Sequence, residues 1–123
     1  MLTLKGVEAG YGSSKVLFGV DLNLSEGQLV AMMGRNGMGK TTTVRAITGL
    51  TPASAGSIKL EGQDITTLKP YQIGQAGIAL VPEGRQVFST LSVRENLVST
   101  AGDRSGKGFW TLDWVFDHFP QLR

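Results

Sequence analysis

The run Gly34-Arg35-Asn36-Gly37-Met38-Gly39-Lys40-Thr41 constrains the fold of this chain more than any other feature. It fits the pattern G-x-x-x-x-G-K-[ST], in which successive backbone N–H groups turn inward and form a nest for phosphate oxygens. Each fixed position has a physical task. Gly34, Gly37 and Gly39 let the backbone wrap the oxygens without Cβ clashes, Lys40 sets a compact positive charge on the outer phosphates, and the Thr41 hydroxyl can ligate Mg²⁺. A helix beginning near Lys40 adds the positive end of its dipole. In a glycine-rich chain of this length the pattern arises by chance in about one case in a hundred, so its context decides. Gln28–Met33 is continuously apolar from Leu29 onward, as expected of an interior strand covered on both faces, and it runs straight into Gly34. Val44, Arg45, Ala46 and Ile47 then continue a helix that stops at Gly49, with Pro52 beyond. Thr41–Thr43 is a poor helix-forming run, so something other than propensity placed it there.

At 123 residues the chain makes one folding unit or part of one. Its 17 glycines are about twice the usual share, which fits backbone that must turn tightly or approach a ligand closely. Twelve Lys and Arg against ten Asp and Glu are interspersed without a like-charge block, which argues against a nucleic-acid partner. The chain has no cysteine, which excludes a disulfide framework and thiol chemistry and fits a reducing compartment. Its longest apolar run, Leu29–Met33, is far too short to span a bilayer, so membrane association is expected only through a partner.

Alternation at Leu2–Val7 and again at Val20–Leu24 predicts strands with one buried face, and Ser25-Glu26-Gly27 a turn. Ser57–Leu60 reads as a strand turning at Glu61-Gly62. Pro70–Ala76 reads as a short helix with Pro in its first turn, and Ile78–Val81 as a second interior strand. Ser92-Val93-Arg94-Glu95 has capping-box spacing, so a helix starts there and runs towards Ala101. Gly102–Gly108 is expected to be a flexible surface link. Leu112, Val115, Phe116 and Phe119 share one face of a last helix that Pro120 ends. The only histidine, His118, falls on that helix as a surface residue.

With these residues in view the chain resembles the ATPase domain of ABC transporters over nearly its whole length. Gly10-Tyr11-Gly12 stands where such domains place the aromatic that stacks on adenine. Gly34–Thr42, with Asn36 and the pair Thr41-Thr42, resembles their Walker A loop, Met38 replacing a commoner small residue whose side chain faces away from the phosphates. Leu80-Val81-Pro82-Glu83-Gly84-Arg85 occupies the place of the Q-loop, with Glu83 where most of the family has Gln. That stretch, together with Val87-Phe88 and Leu91–Leu97, is similar to the ATPase subunits of branched-chain amino-acid importers and their urea and amide relatives. The ending Trp114-Val115-Phe116 and Phe119-Pro120-Gln121-Leu122 resembles the start of that subgroup's helical subdomain.

The resemblance implies an α/β P-loop NTPase fold. Residues 1–123 would supply the N-terminal part of one ABC ATPase domain, with an antiparallel β subdomain and an incomplete core sheet. It implies ATP and Mg²⁺ as ligands, held by Tyr11, Gly34, Asn36, Gly37, Gly39, Lys40, Thr41 and Thr42. Thr41 would ligate Mg²⁺, and Glu83 would form the coupling loop. As a metal ligand Glu83 would bring an extra negative charge beside the phosphates, which sets it apart from Gln. Membrane permease subunits and a second ATPase subunit are the implied partners, at the cytoplasmic face of the inner membrane and without insertion. The family's Leu-Ser-Gly-Gly signature, Walker B aspartate, catalytic glutamate and switch histidine are not found within residues 1–123. The chain alone is therefore expected to bind ATP·Mg²⁺ weakly or fold poorly, and to show no turnover. A non-catalytic nucleotide-binding or regulatory module is the alternative. A complete small P-loop protein fits worse, since Pro82 intervenes before Glu83 and no Asp precedes it. A soluble P-loop kinase would need an acceptor site and an arginine-rich lid, neither of which is visible.

Overall fold

A computed structural model of the chain describes residues 1–84, 86–99, 101, 108 and 110–123. The expected link at Gly102–Gly108 lies almost wholly outside them. The chain divides into two compact units, Met1–Leu80 and Val81–Arg123.

The first unit is built on a four-stranded antiparallel sheet of order β2-β1-β3-β4, from β1 (Leu2–Tyr11), β2 (Ser14–Leu24), β3 (Ala55–Leu60) and β4 (Gln63–Asp64). The alternation read at both ends of the first hairpin is what the sheet uses. Leu2, Leu4, Val7 and Ala9 of β1 are buried, and so is Leu17 of β2. Leu4 stands opposite Leu22 on one side and Ile58 on the other, so β1 carries the centre of the core. Glu61 (φ 49) and Gly62 (φ 80) form the tight turn between β3 and β4, a conformation that suits the twist of a two-residue hairpin loop. Ile58, Ile65 and Ile73, each at most 2% exposed, close the core together with Ala46. Ala46 comes from α1 (Lys40–Ile47), and Ile73 from α2 (Pro70–Ala76). The second helix starts with Pro70 at its first position, and Gly77 (φ 116) ends it in the left-handed conformation.

Two expectations fail. Gln28–Met33 and Ile78–Val81 form no strands, although their composition predicts interior strands. Leu29 is 96% exposed and Met33 90%, and Val81 is 92% exposed. The physical reason is pairing. An all-apolar strand is held by hydrogen-bonded neighbours on both edges and by layers on both faces. Among the described residues no strand pairs with either segment. The sheet that does form is the antiparallel one.

In the second unit, α3 (Val93–Ser99) begins as the capping box predicts. The Glu95 amide donates to Ser92 Oγ at 3.2 Å, and the Ser92 amide donates to Glu95 Oε2 at 2.8 Å. Hydrogen bonds from the Ser92 amide and then its hydroxyl hold the Glu95 carboxyl below its ordinary pKa. Asn96 ties the preceding loop to this helix. Its side chain accepts from the Phe88 amide at 2.9 Å and donates to the carbonyls of Phe88, Leu91 and Ser92. The last helix, α4 (Leu112–His118), is capped by Thr111, whose hydroxyl accepts from the Trp114 amide at 3.1 Å. Phe116 is its buried residue, and a short 3₁₀ turn at Pro120–Leu122 follows. His118 is exposed as expected and stacks on Trp114 with ring centroids 3.7 Å apart.

Candidate phosphate-binding loop and its tyrosine

The loop from Gly34 enters α1 through glycines that hold left-handed backbone, Gly37 at φ 82 and Gly39 at φ 85. At Gly39 the requirement is double, because a Cβ there would come within 2.8 Å of Leu17 Cδ2 on the hairpin. Gly39 is the N-cap of α1 and offers no side chain, so the first helical amides have no capping oxygen from that residue. The Thr43 amide and hydroxyl both bond the Gly39 carbonyl, at 2.8 and 2.9 Å, which fixes the first turn. Thr42 and Thr43 are buried at 5% and 2% exposure, which explains the threonines that helix propensity does not. They pack the base of the loop, while Thr41 stays exposed.

Lys40 reaches back across the loop and donates to the carbonyls of Gly34 at 2.6 Å and Arg35 at 2.8 Å. Its ammonium therefore sits inside the turn with the exposed loop backbone around it. Such a cradle fits a triphosphate: open backbone at Gly37, where a Cβ would meet nothing within 4 Å, a helix N-terminus, and one compact cation. Among the described residues no group of three His, Cys, Asp or Glu could hold a metal ion. In this loop the Thr41 hydroxyl is placed to join phosphate oxygens around a Mg²⁺, the usual way this ion is held. Met38 is 72% exposed.

Tyr11 ends β1, and its hydroxyl lies 3.4 Å from Thr42 Oγ1. Hydrogen bonding with Thr42, then with Thr51, lowers its phenol pKa, and the positive charge of Arg45 adds to the effect. The ring remains half exposed. The structure thus brings Tyr11, Gly34, Gly39, Lys40, Thr41 and Thr42 together, with Asn36 and Gly37 in the exposed arc of the same loop. Glu83 belongs to the other unit, where it is an exposed bend residue. Sequence reading passed over Arg45 and Thr51. Arg45 Nε donates to Thr51 Oγ1 at 3.1 Å, and Thr51 is only 5% exposed. The one local signal was an arginine in α1 with no acid three or four residues away.

A glycine-wrapped turn that leads into a helix and closes around a lysine defines the P-loop class of nucleotide-binding folds. Residues 17–122 match the ABC transporter family, and the chain belongs to it. It is 36% identical to the high-affinity branched-chain amino acid transport ATP-binding protein BraG of Pseudomonas aeruginosa, over all of this chain and 53% of that protein. It is also 36% identical to the probable branched-chain amino acid transport ATP-binding protein LivF of Archaeoglobus fulgidus, over all of this chain and 52% of that protein. The chain spans about half the length of these curated relatives. A ribose import ATP-binding protein, RbsA of Streptococcus agalactiae, is 35% identical over 78% of this chain and 20% of its own length. Among solved structures, the ATP binding subunit of an ABC transporter superposes with a TM-score of 0.67 at 31% identity, over 76% of this chain and 38% of that one.

Proposed function

We propose that residues 1–123 are the nucleotide-binding front part of an importer's ATP-binding subunit, and that the parent protein couples ATP hydrolysis to solute uptake through membrane permease subunits. The observation that carries this reading is the placement of Lys40 inside the loop, two residues before the buried Thr42 that meets the Tyr11 hydroxyl. Lys40 and the loop amides hold the β- and γ-phosphates, Thr41 ligates Mg²⁺, and the Tyr11 ring stacks on adenine. A second ATPase subunit completes the site, and the assembly works at the cytoplasmic face of the membrane. No described helix is long and apolar enough to cross a membrane. The solute is a branched-chain amino acid, or urea or an amide. BraG and LivF support the first of these, whereas the ribose relative shows that the fold serves other solutes as well.

Glu83 is the coupling loop in this account, passing the nucleotide state to the permease. Cells whose only copy of the gene encodes Glu83→Gln should take up labelled leucine at an altered rate, while the Mg·ATP affinity of the purified protein stays the same. Unchanged uptake in that strain would remove Glu83 from the coupling role. Unchanged leucine uptake after deletion of the whole gene would overturn the assignment to branched-chain amino acids.

A further inference from the structure

The hairpin of β1 and β2 carries Tyr11 at the end of β1, and it also walls the entry to α1. Leu17 of β2 is only 3% exposed and stands opposite the fully buried Ala9. Its methyl Cδ2 lies so near Gly39 that a Cβ on the glycine would come within 2.8 Å of it, and Val16 Cγ1 flanks the same spot at 3.7 Å. Gly39 is the joint of the site. At φ 85 it turns the loop into the helix directly before Lys40, and its carbonyl takes the first helical hydrogen bond, from the Thr43 amide, together with one from the Thr43 hydroxyl.

We infer that Leu17 is a positioning residue for the phosphate loop: its methyl is the wall behind the Gly39 backbone, and so fixes where the amides at the start of α1 meet phosphate oxygens. The inference rests on the nucleotide reading above. Backbone amides bind an oxyanion tightly when they are already aimed at it, and a loop of glycines, free to turn either way, does not hold an aim by itself. A packed side chain behind the turn supplies that aim. Glycine at 39 leaves the room that Leu17 fills, so the two residues fit as a pair. Because Leu17 acts on the amides that face the phosphates, its loss falls equally on ligands with and without a base.

The test measures Mg·ATP and Mg·tripolyphosphate binding to the full chain by calorimetry, beside a thermal melt, for wild type, Leu17→Val, Leu17→Met and Ile58→Val. Leu17→Val withdraws the methyl from Gly39, and Ile58→Val shortens a side chain elsewhere in the same core, so the two should lower the melting temperature by similar amounts. Well below the melts, Leu17→Val should weaken both ligands about three- to tenfold, whereas Ile58→Val should bind both like wild type. Leu17→Met, which keeps volume and reach, should bind like wild type as well. Should Leu17→Val not fold, Leu17→Ile, which keeps the volume and moves the branch back to Cβ, carries the same prediction. Wild-type affinity in Leu17→Val, or equal losses in Leu17→Val and Ile58→Val, would reduce Leu17 to core packing and overturn the inference. A loss for ATP alone would move its action to the Tyr11 end of the hairpin and overturn it too. Wild type that binds neither ligand would bring down the phosphate site and the inference with it.

Discussion

Replacing Lys40 with alanine is expected to weaken Mg·ATP binding on the order of a hundredfold while leaving the fold in place. The size follows from charge-assisted hydrogen bonds to phosphate oxygens, which together contribute about 3 kcal/mol. The selectivity follows from what Lys40 touches now. Among the described residues its ammonium bonds only the carbonyls of Gly34 and Arg35, both in an exposed loop, so water can replace it there. A nucleotide titration and a thermal melt on the same preparation separate the two effects. Equal affinity in Lys40→Ala and wild type would mean that the loop is a structural turn. A large loss of melting temperature would mean that the lysine holds the fold instead.

Ile58→Ala should act in the opposite way, costing about 2–5 kcal/mol of stability through a cavity and affecting binding only by unfolding the first unit. Ile58 is 1% exposed and faces Leu4 across the β1–β3 ladder. Its backbone is tied separately, the amide donating to Thr66 Oγ1 at 2.8 Å and the carbonyl accepting from the Ile65 amide at 2.9 Å. Those bonds survive the substitution, so the loss is one of packing. Against a typical domain stability of about 5–15 kcal/mol the change is severe. Phe18→Ala is the matched control. Phe18 lies on β2 but is 75% exposed, and its removal should change the urea midpoint little. Comparable shifts for the two variants would contradict the assignment of the core to this face of the sheet.

How much of this was legible beforehand depended on whether a signal was local. The capping box at Ser92–Glu95, the proline start of α2 at Pro70 and the last helix are written within one or two helical turns; the first two stand, while α4 forms but ends at His118, burying Phe116 and leaving Phe119 at its C-cap 47% exposed. The loop at Gly34–Thr41 was equally local, because its backbone needs are met by glycines at fixed spacing. The apolar runs 28–33 and 78–81 were different. Their composition states what a strand would need around it and cannot supply the neighbours, so the inference from burial to pairing failed. Three contacts were beyond sequence for a related reason. Tyr11 meets Thr42 across 31 residues, Arg45 meets Thr51 around the end of a helix, and Leu17 limits what can replace Gly39. No periodicity encodes such meetings. The threonines at 42 and 43, which looked misplaced by helix propensity, carry two of the hydrogen bonds that shape the site.

The central claim is that residues 34–42, with Tyr11, form one nucleotide site. Its most direct test is to titrate the isotope-labelled chain with Mg·ATP and follow each backbone amide by NMR. The account predicts saturable shifts at Gly37, Gly39, Lys40 and Thr41, accompanied by movement of the Tyr11 ring resonances and absent in Lys40→Ala. Shifts confined to other parts of the chain, or none that saturate at the loop, would contradict it.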